Sequence, residues 1–197
     1  MKRIRTLHSI RSEKISKPLR LAVASDIHSS SFDDVLADFA ACDAVLIPGD
    51  LVDRHRKNNR LAIQFLNTVP DICPVFYSVG NHERKLHDRE HYMEQVRASR
   101  VKLLDNAFEE FCGILIGGLS SAAHNRADNG FLDLFENSGS FRLLMCHHPE
   151  MYRDHVSGRD IDFTVCGHAH GGQIQLFGRG LYAPGQGFLP KLTSGSS

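Results

Sequence analysis

Apolar and polar positions along the chain alternate between strand-length apolar runs and segments of helical periodicity. The first run, Leu19 to Ala24 (LRLAVA), is near-continuous and reads as a strand buried on both faces of a sheet. A helix is expected over Phe32 to Ala41, a strand over Ala44 to Ile47 ending at Pro48-Gly49, and a helix over Asn59 to Asn67 capped by Asn58 or Asn59. Strand three is Val75 to Val79. A polar loop and a charged helix over Asp88 to Ser99 lead to shorter strands at Lys102 to Leu104, Phe108 to Phe111 and Ile114 to Gly118. A weak helix at Phe131 to Glu136 precedes two strong strands, Phe141 to Cys146 and Phe163 to Cys166. Alternating β and α elements followed by a β-rich second half define an α/β layered domain.

No repeat or linker divides the chain, so residues 19–197 are expected to form one domain behind a basic, polar segment, 1–18. Residues 176–197 (LFGRGLYAPGQGFLPKLTSGSS) are rich in Gly and Pro with little apolar periodicity, and read as a loop-like tail. No apolar stretch approaches the roughly 18 residues that span a bilayer. The basic start has no apolar stretch of a secretory signal, which makes the expected location cytoplasmic. Its six basic residues in the first 17 suit weak association with an anionic membrane surface or, more simply, a solvated tail.

Composition adds one anomaly. Lys+Arg and Asp+Glu balance at 23 each, which gives no electrostatic footprint for specific nucleic-acid binding, yet 12 of the 197 residues are His. Imidazole is the commonest metal ligand and titrates near neutrality. The five Cys are scattered without metal-binding spacing and read as reduced thiols.

The histidines cluster where ligands bind in open α/β sheets, just past the carboxyl ends of strands. Five strand ends are followed by Asp26-Ile27-His28, Gly49-Asp50-Leu51-Val52-Asp53, Gly80-Asn81-His82-Glu83, His147-His148-Pro149 and Gly167-His168-Ala169-His170. Residues i and i+2 leaving a strand share a face, so Asp26 with His28, and His168 with His170, can each clasp one metal. Mixed oxygen and nitrogen donors without thiolate suit Mn, Fe, Zn, Co or Ni better than Ca. About seven donors are too many for one open zinc site, and two ions sharing a carboxylate are the economical arrangement for phosphoryl displacement. Any one of these blocks is common by chance; their conjunction at successive strand ends is not.

The series DxH, GDxxD, GNHE, HxP and GHxH, over roughly Leu19 to Gln175, resembles the calcineurin-like metallophosphoesterase superfamily. The continuation GHAHGGQIQLFGRGLYAP is similar to the bacterial YkuE-like phosphodiesterase branch. The resemblance implies two mixed β-sheets sandwiched between helical layers. It implies that Asp26, His28 and His170 hold one ion, that Asn81, His147 and His168 hold the other, and that Asp50 bridges them. A bridging hydroxide would attack phosphorus in line with the leaving oxygen, and His82 would protonate that oxygen or stabilise phosphoryl charge. Asp53 would orient His82, and Arg54 either grips phosphate or sits in a solvated loop. Strands that complete a sheet in relatives lie past the position of Leu192, so C-terminal strands are expected to be missing from a chain ending at Ser197.

The implied function is hydrolysis of a phosphoester, on a small-molecule or lipid-like substrate, with two divalent ions, Mn foremost. A diester is favoured over a monoester or phosphoprotein; a non-catalytic metal-binding scaffold is the remaining reading. His148 is expected to point away from the site if His147 points in, because neighbours on a strand face opposite ways. His87 and His91, four apart on the charged helix, read as solvated, and His124 as an ordinary loop residue. Specificity is expected in the loops 54–58, 84–91 and 122–130.

Overall fold

The computed structural model describes residues 5–121 and 126–169, together with the backbone of three later strands, Ile174–Leu176, Arg179–Ala183 and Gly187–Phe188. Two four-stranded sheets carry the architecture. The first, in the order β1 (Leu21–Val23), β2 (Ala44–Pro48), β3 (Val75–Ser78), β4 (Lys102–Leu103), is parallel throughout. The second, in the order β5 (Ala107–Phe111), β6 (Ile114–Leu119), β7 (Phe141–Cys146), β8 (Phe163–Val165), is mixed: β5 runs antiparallel to β6, and β6, β7 and β8 are parallel.

The period of two along each strand sorts side chains into three cores. Val45, Ile47, Val75 and Tyr77 face α1 (Leu36–Ala40), α2 (Arg60–Thr68) and α4 (Arg89–Ala98), where they meet Phe39, Phe65, Tyr92 and Met93. The intervening Ala44, Leu46 and Phe76 face Ile114, Ile116, Leu143 and Met145 of the other sheet. Leu119, Leu144 and Cys146 turn outward onto Phe131, Leu132 and Phe135 of α5 (Asn129–Glu136). The result is an α-β-β-α stack with β2, β3 and β7 fully buried. At Gly117 a Cβ would lie 2.8 Å from the Phe135 ring, so helix α5 packs this closely only over glycine.

Several elements depart from the sequence expectation. β1 and β8 are edge strands, so Leu19 to Ala24 is not buried on both faces: β1 is three residues long and Val23 is 48% exposed. The turn after β3 is a short helix, α3 (Asn81–Arg84), and a one-turn helix, α6 (Pro149–Met151), follows β7 and runs on into a π-turn over Tyr152–Val156. The tail is not all loop, because β9 (Ile174–Leu176), β10 (Arg179–Ala183) and β11 (Gly187–Phe188) pair as an antiparallel ribbon. The N-cap of α2 is Asn59, which makes no side-chain cap, while Oδ1 of the preceding Asn58 accepts from Arg60 N at 2.7 Å. All five cysteines are free thiols. Among the described residues no helix is long and apolar enough to cross a membrane.

The N-terminal segment is tied down by ion pairs. Arg5 Nε lies 2.6 Å from Asp38 and Lys14 Nζ 2.7 Å from Asp162, while Ile15 packs on the core between the sheets. Asp162 also accepts from the backbone N–H of Arg142 at 2.9 Å and from its guanidinium at 3.3 Å. Burial opposes ionisation of Asp162, but Lys14 and Arg142 outweigh it and hold the carboxyl below its ordinary value. A pKa lowered in the folded state gives stability that is present above the unfolded value and lost as pH falls through the folded one. Asp162→Asn is therefore expected to cost about 1–3 kcal/mol at neutral pH and to flatten the acid limb below about pH 4, checked by urea unfolding across pH.

Candidate metal centre

The two sheets contact each other through β2 with β7 and β3 with β6, so the chain leaves β1, β2, β3, β7 and β8 at one shared edge. The loops there are laced by backbone hydrogen bonds: Asp26 N to Gly49 O at 3.3 Å, His28 N to Asp50 O at 3.0 Å, and Gly167 N to His147 O at 3.0 Å. Making those turns costs strain. Asp26, His28, Ser29, Asp50 and His168 all have φ between 49° and 66°, five of the seven non-glycine residues so placed among the described residues. Left-handed backbone outside glycine is held only where the surroundings over-determine it, and it concentrates at functional sites. Gly49, at φ 97°, is needed because a Cβ would lie 2.6 Å from His147 Nδ1 and 2.7 Å from Gly80 Cα.

Donor atoms converge on this edge. Asp50, 1% exposed, places Oδ2 3.2 Å from His147 Nε2, and Asn81 Oδ1 lies 3.0 Å from the same nitrogen. Asp26 Oδ1 is 3.9 Å from His28 Nε2, and both Asp26 oxygens accept from His168 N at 3.0 Å. Three groups have ligand atoms within 4.8 Å of one another: Asp26, Asp50 and His147; His28, Asp50 and His82; and His147, His148 and His168. Six of the seven ligands expected from the sequence thus meet at one edge, and His170 lies outside the described residues.

The partner of each Nδ1 sorts the histidines. His147 Nδ1 donates to Pro48 O at 2.8 Å and His28 Nδ1 donates to Val52 O at 3.2 Å. A carbonyl can only accept, so Nδ1 carries a proton in each ring and Nε2 is the atom directed at the carboxylates; in the neutral ring that nitrogen has the lone pair a metal requires. His82 is wired the other way. Its Nδ1 accepts from Arg54 N–H at 3.1 Å, which puts the proton of the neutral ring on Nε2, 3.9 Å from Asp50 Oδ2. As neutral rings, His82 therefore presents a donor at Nε2 where His28 and His147 present acceptors. Asp53 Oδ1 stands 3.5 Å from His82 Nδ1, longer than a hydrogen bond, and accepts instead from His55 N at 2.9 Å.

Electrostatics follow from this packing. Burial opposes ionisation of Asp50, but the hydrogen bond and charge of His147, with help from His82, hold its carboxyl well below the usual range. Burial likewise opposes charging of His147, and Asp50 and Asp26 overcome it, raising the imidazole to about 9. A proton on His147 Nε2 and a cation compete for one lone pair. Burial lowers His82, with the charges of His28 and Arg54 opposing the pull of Asp50 and Asp53.

Two residues stand in the site that the sequence reading did not place there. His148 does not point away: its ring centroid is 4.3 Å from that of His168, and Nδ1 lies 3.0 Å from Ser121 Oγ. Burial and the neighbouring His147 and His168 push it down to about 3, so it is neutral. Glu83 is fully buried and accepts from the N–H groups of Gly80, Asp50 and Val52 at 2.8, 3.0 and 3.2 Å. Burial and the charge of Asp50 push its carboxyl up, against hydrogen bonds from Tyr77 and the backbone. It ties the loop after β2 to that after β3. The pattern GNHE was read for its Asn and His, and a glutamate three residues past a strand-ending glycine was the available sign of such a clamp.

A donor set of carboxylate, amide and imidazole at the edge of an α-β-β-α stack suits divalent metal ions. A profile of the calcineurin-like phosphoesterase family matches residues 19–172, and the chain belongs to that family. It is similar to an uncharacterized metallophosphoesterase of Helicobacter pylori (26% identity, covering 84% of this chain and 48% of that protein). It is also similar to one of Campylobacter jejuni (29% identity, 92% and 54%) and to the uncharacterized protein YpbG of Bacillus subtilis (27% identity, 86% and 68%). The chain spans about half the length of the Helicobacter and Campylobacter relatives.

Proposed function

We propose that the chain hydrolyses a phosphodiester with two divalent metal ions, Mn foremost. The opposite wiring of His28 and His147 on one side and His82 on the other carries this reading: two lone pairs for metal beside one N–H for substrate. In it, Asp26, His28 and His170 hold one ion, Asn81, His147 and His168 the other, and Asp50 serves both. When bound, such ions supply Lewis acidity, a water acidified towards neutrality and compensation of phosphoryl charge.

The chain's own groups supply the rest. His82 as neutral imidazole donates Nε2–H to a phosphoryl oxygen. As imidazolium, with Nδ1–H turned onto Asp53 Oδ1 3.5 Å away, it protonates the leaving oxygen from Nε2. Arg54, whose N–H fixes the His82 ring, offers its guanidinium to the phosphate, and Glu83 and Pro48 O hold Asp50 and His147 in place. The preference for a diester rests on the similarity of residues 167–184 to the YkuE-like branch. With Mn, bis(p-nitrophenyl) phosphate is expected to be hydrolysed with a higher kcat/KM than p-nitrophenyl phosphate, and chelation to remove both activities. The reverse preference would make the chain a monoesterase, and turnover that survives chelation contradicts the metal reading.

A further inference from the structure

Beside the metal centre the chain forms an open cleft of about 560 Å³, within the usual size of a small-molecule site. Its walls are the loop after β2 and the approach to α4, two of the three segments in which specificity was expected. Arg54, Arg56, Lys57 and Arg60 line it over a floor that includes Ile63 and the buried Tyr92. In a chain whose formal charge sums to zero, this is a local excess of cations. Asp88 is the carboxylate among the lining residues and pairs with His87 at 2.9 Å, while Arg56 lies 3.4 Å from Asp53. No carboxylate of the described residues lies within 4 Å of the side-chain nitrogens of Arg54, Lys57 or Arg60.

His82 stands between this cleft and the metal ligands. Its ring centroid is 4.4 Å from that of His28 on the ligand side and 5.7 Å from that of the cleft residue His55. The group that leaves under the proton of His82 therefore departs next to the cations. We propose that the cleft is a second anion subsite, and that the substrate is a small phosphodiester whose leaving half carries a further phosphate. This rests on the diesterase reading. Water adds across the scissile P–O bond: its hydroxyl ends on phosphorus, the leaving oxygen takes a proton, and a phosphomonoester and a phosphorylated alcohol are released. Cations on flexible stems that no carboxylate of the described residues neutralises suit a phosphate dianion, and charge-assisted pairs are the strong ones.

The test compares glycerophosphoglycerol with its terminal phosphate ester on the Mn-loaded full chain, with products read by phosphorus NMR. The phosphorylated diester is expected to have a kcat/KM at least about tenfold higher, and to give two glycerol phosphates. The Lys57→Ala/Arg60→Ala chain is expected to bring that preference within about threefold, as is a rise from low to high salt. Equal kcat/KM for the two diesters in the unmutated chain overturns the subsite, as does release of free glycerol with glycerol bisphosphate, which would mean that the unphosphorylated half leaves. Hydrolysis of bis(p-nitrophenyl) phosphate is measured alongside. Its absence overturns the diesterase reading itself, whereas its presence without preference overturns the subsite alone.

Discussion

Asp50→Asn is expected to lower Mn-dependent hydrolysis of bis(p-nitrophenyl) phosphate by more than the roughly 10–100-fold that loss of an outer hydrogen-bond partner of a metal ligand costs. Among the described residues, Asp50 is the one carboxylate within reach of His28, His82, Asp26 and His147 together. Its Oδ1 accepts from His82 N at 2.9 Å while Oδ2 faces His147, so the amide keeps the shape of the loop and changes the charge. An asparagine placed in the same pose cannot offer a charged oxygen to two ions. The folded state should persist, since the backbone N–H of residue 50 still finds Glu83. Activity within threefold of the unmutated chain would show that residue 50 carries no bridging role.

Glu83→Ala is expected to have the largest effect on stability. Three buried N–H groups, on Gly80, Asp50 and Val52, lose their acceptor at once. A buried donor left unsatisfied costs about 1–3 kcal/mol, so the sum approaches the roughly 5–15 kcal/mol of a whole domain. Glu83→Gln retains one carbonyl oxygen for three donors and puts an amide N–H₂ in place of the other, which makes it intermediate. Denaturant unfolding of the three chains should rank them in that order. A Glu83→Ala chain as stable as the unmutated one would mean that those backbone groups find other partners.

Much of the fold was legible because both of its periods are clean. Ala44 to Pro48, Val75 to Ser78 and Phe141 to Cys146 are buried throughout and apolar apart from Ser78 and Arg142, as strands covered on both faces are expected to be. The same rule misplaced Leu19 to Ala24, since an edge position depends on which strand lies beyond it and composition carries no record of that. The helix Asn81–Arg84 has one turn and no apolar repeat to announce it. In the tail, glycine-rich strands look like loop, because their backbone pairing leaves no pattern in the side chains.

The site was legible by residue type more than by geometry. Strand ends placed six candidate ligands together, but the alternation that was expected to turn His148 outward holds only within a strand. His147 and His148 lie past the end of β7, where the chain already bends into α6. The left-handed turns at Asp26, His28, Asp50 and His168 have no sequence mark either, because here the packed surroundings and not glycine enforce them. Which ring nitrogen of each histidine pairs with the backbone was set by Pro48 O, Val52 O and Arg54 N–H, partners that no side-chain pattern encodes.

The most direct measurement is the number of metal ions held by the chelator-stripped chain when it is titrated with Mn and then desalted. Two ions per chain are expected, falling to one or fewer in Asp50→Asn. Fewer than one ion per unmutated chain, or two ions retained without Asp50, contradicts a centre in which that carboxylate serves both.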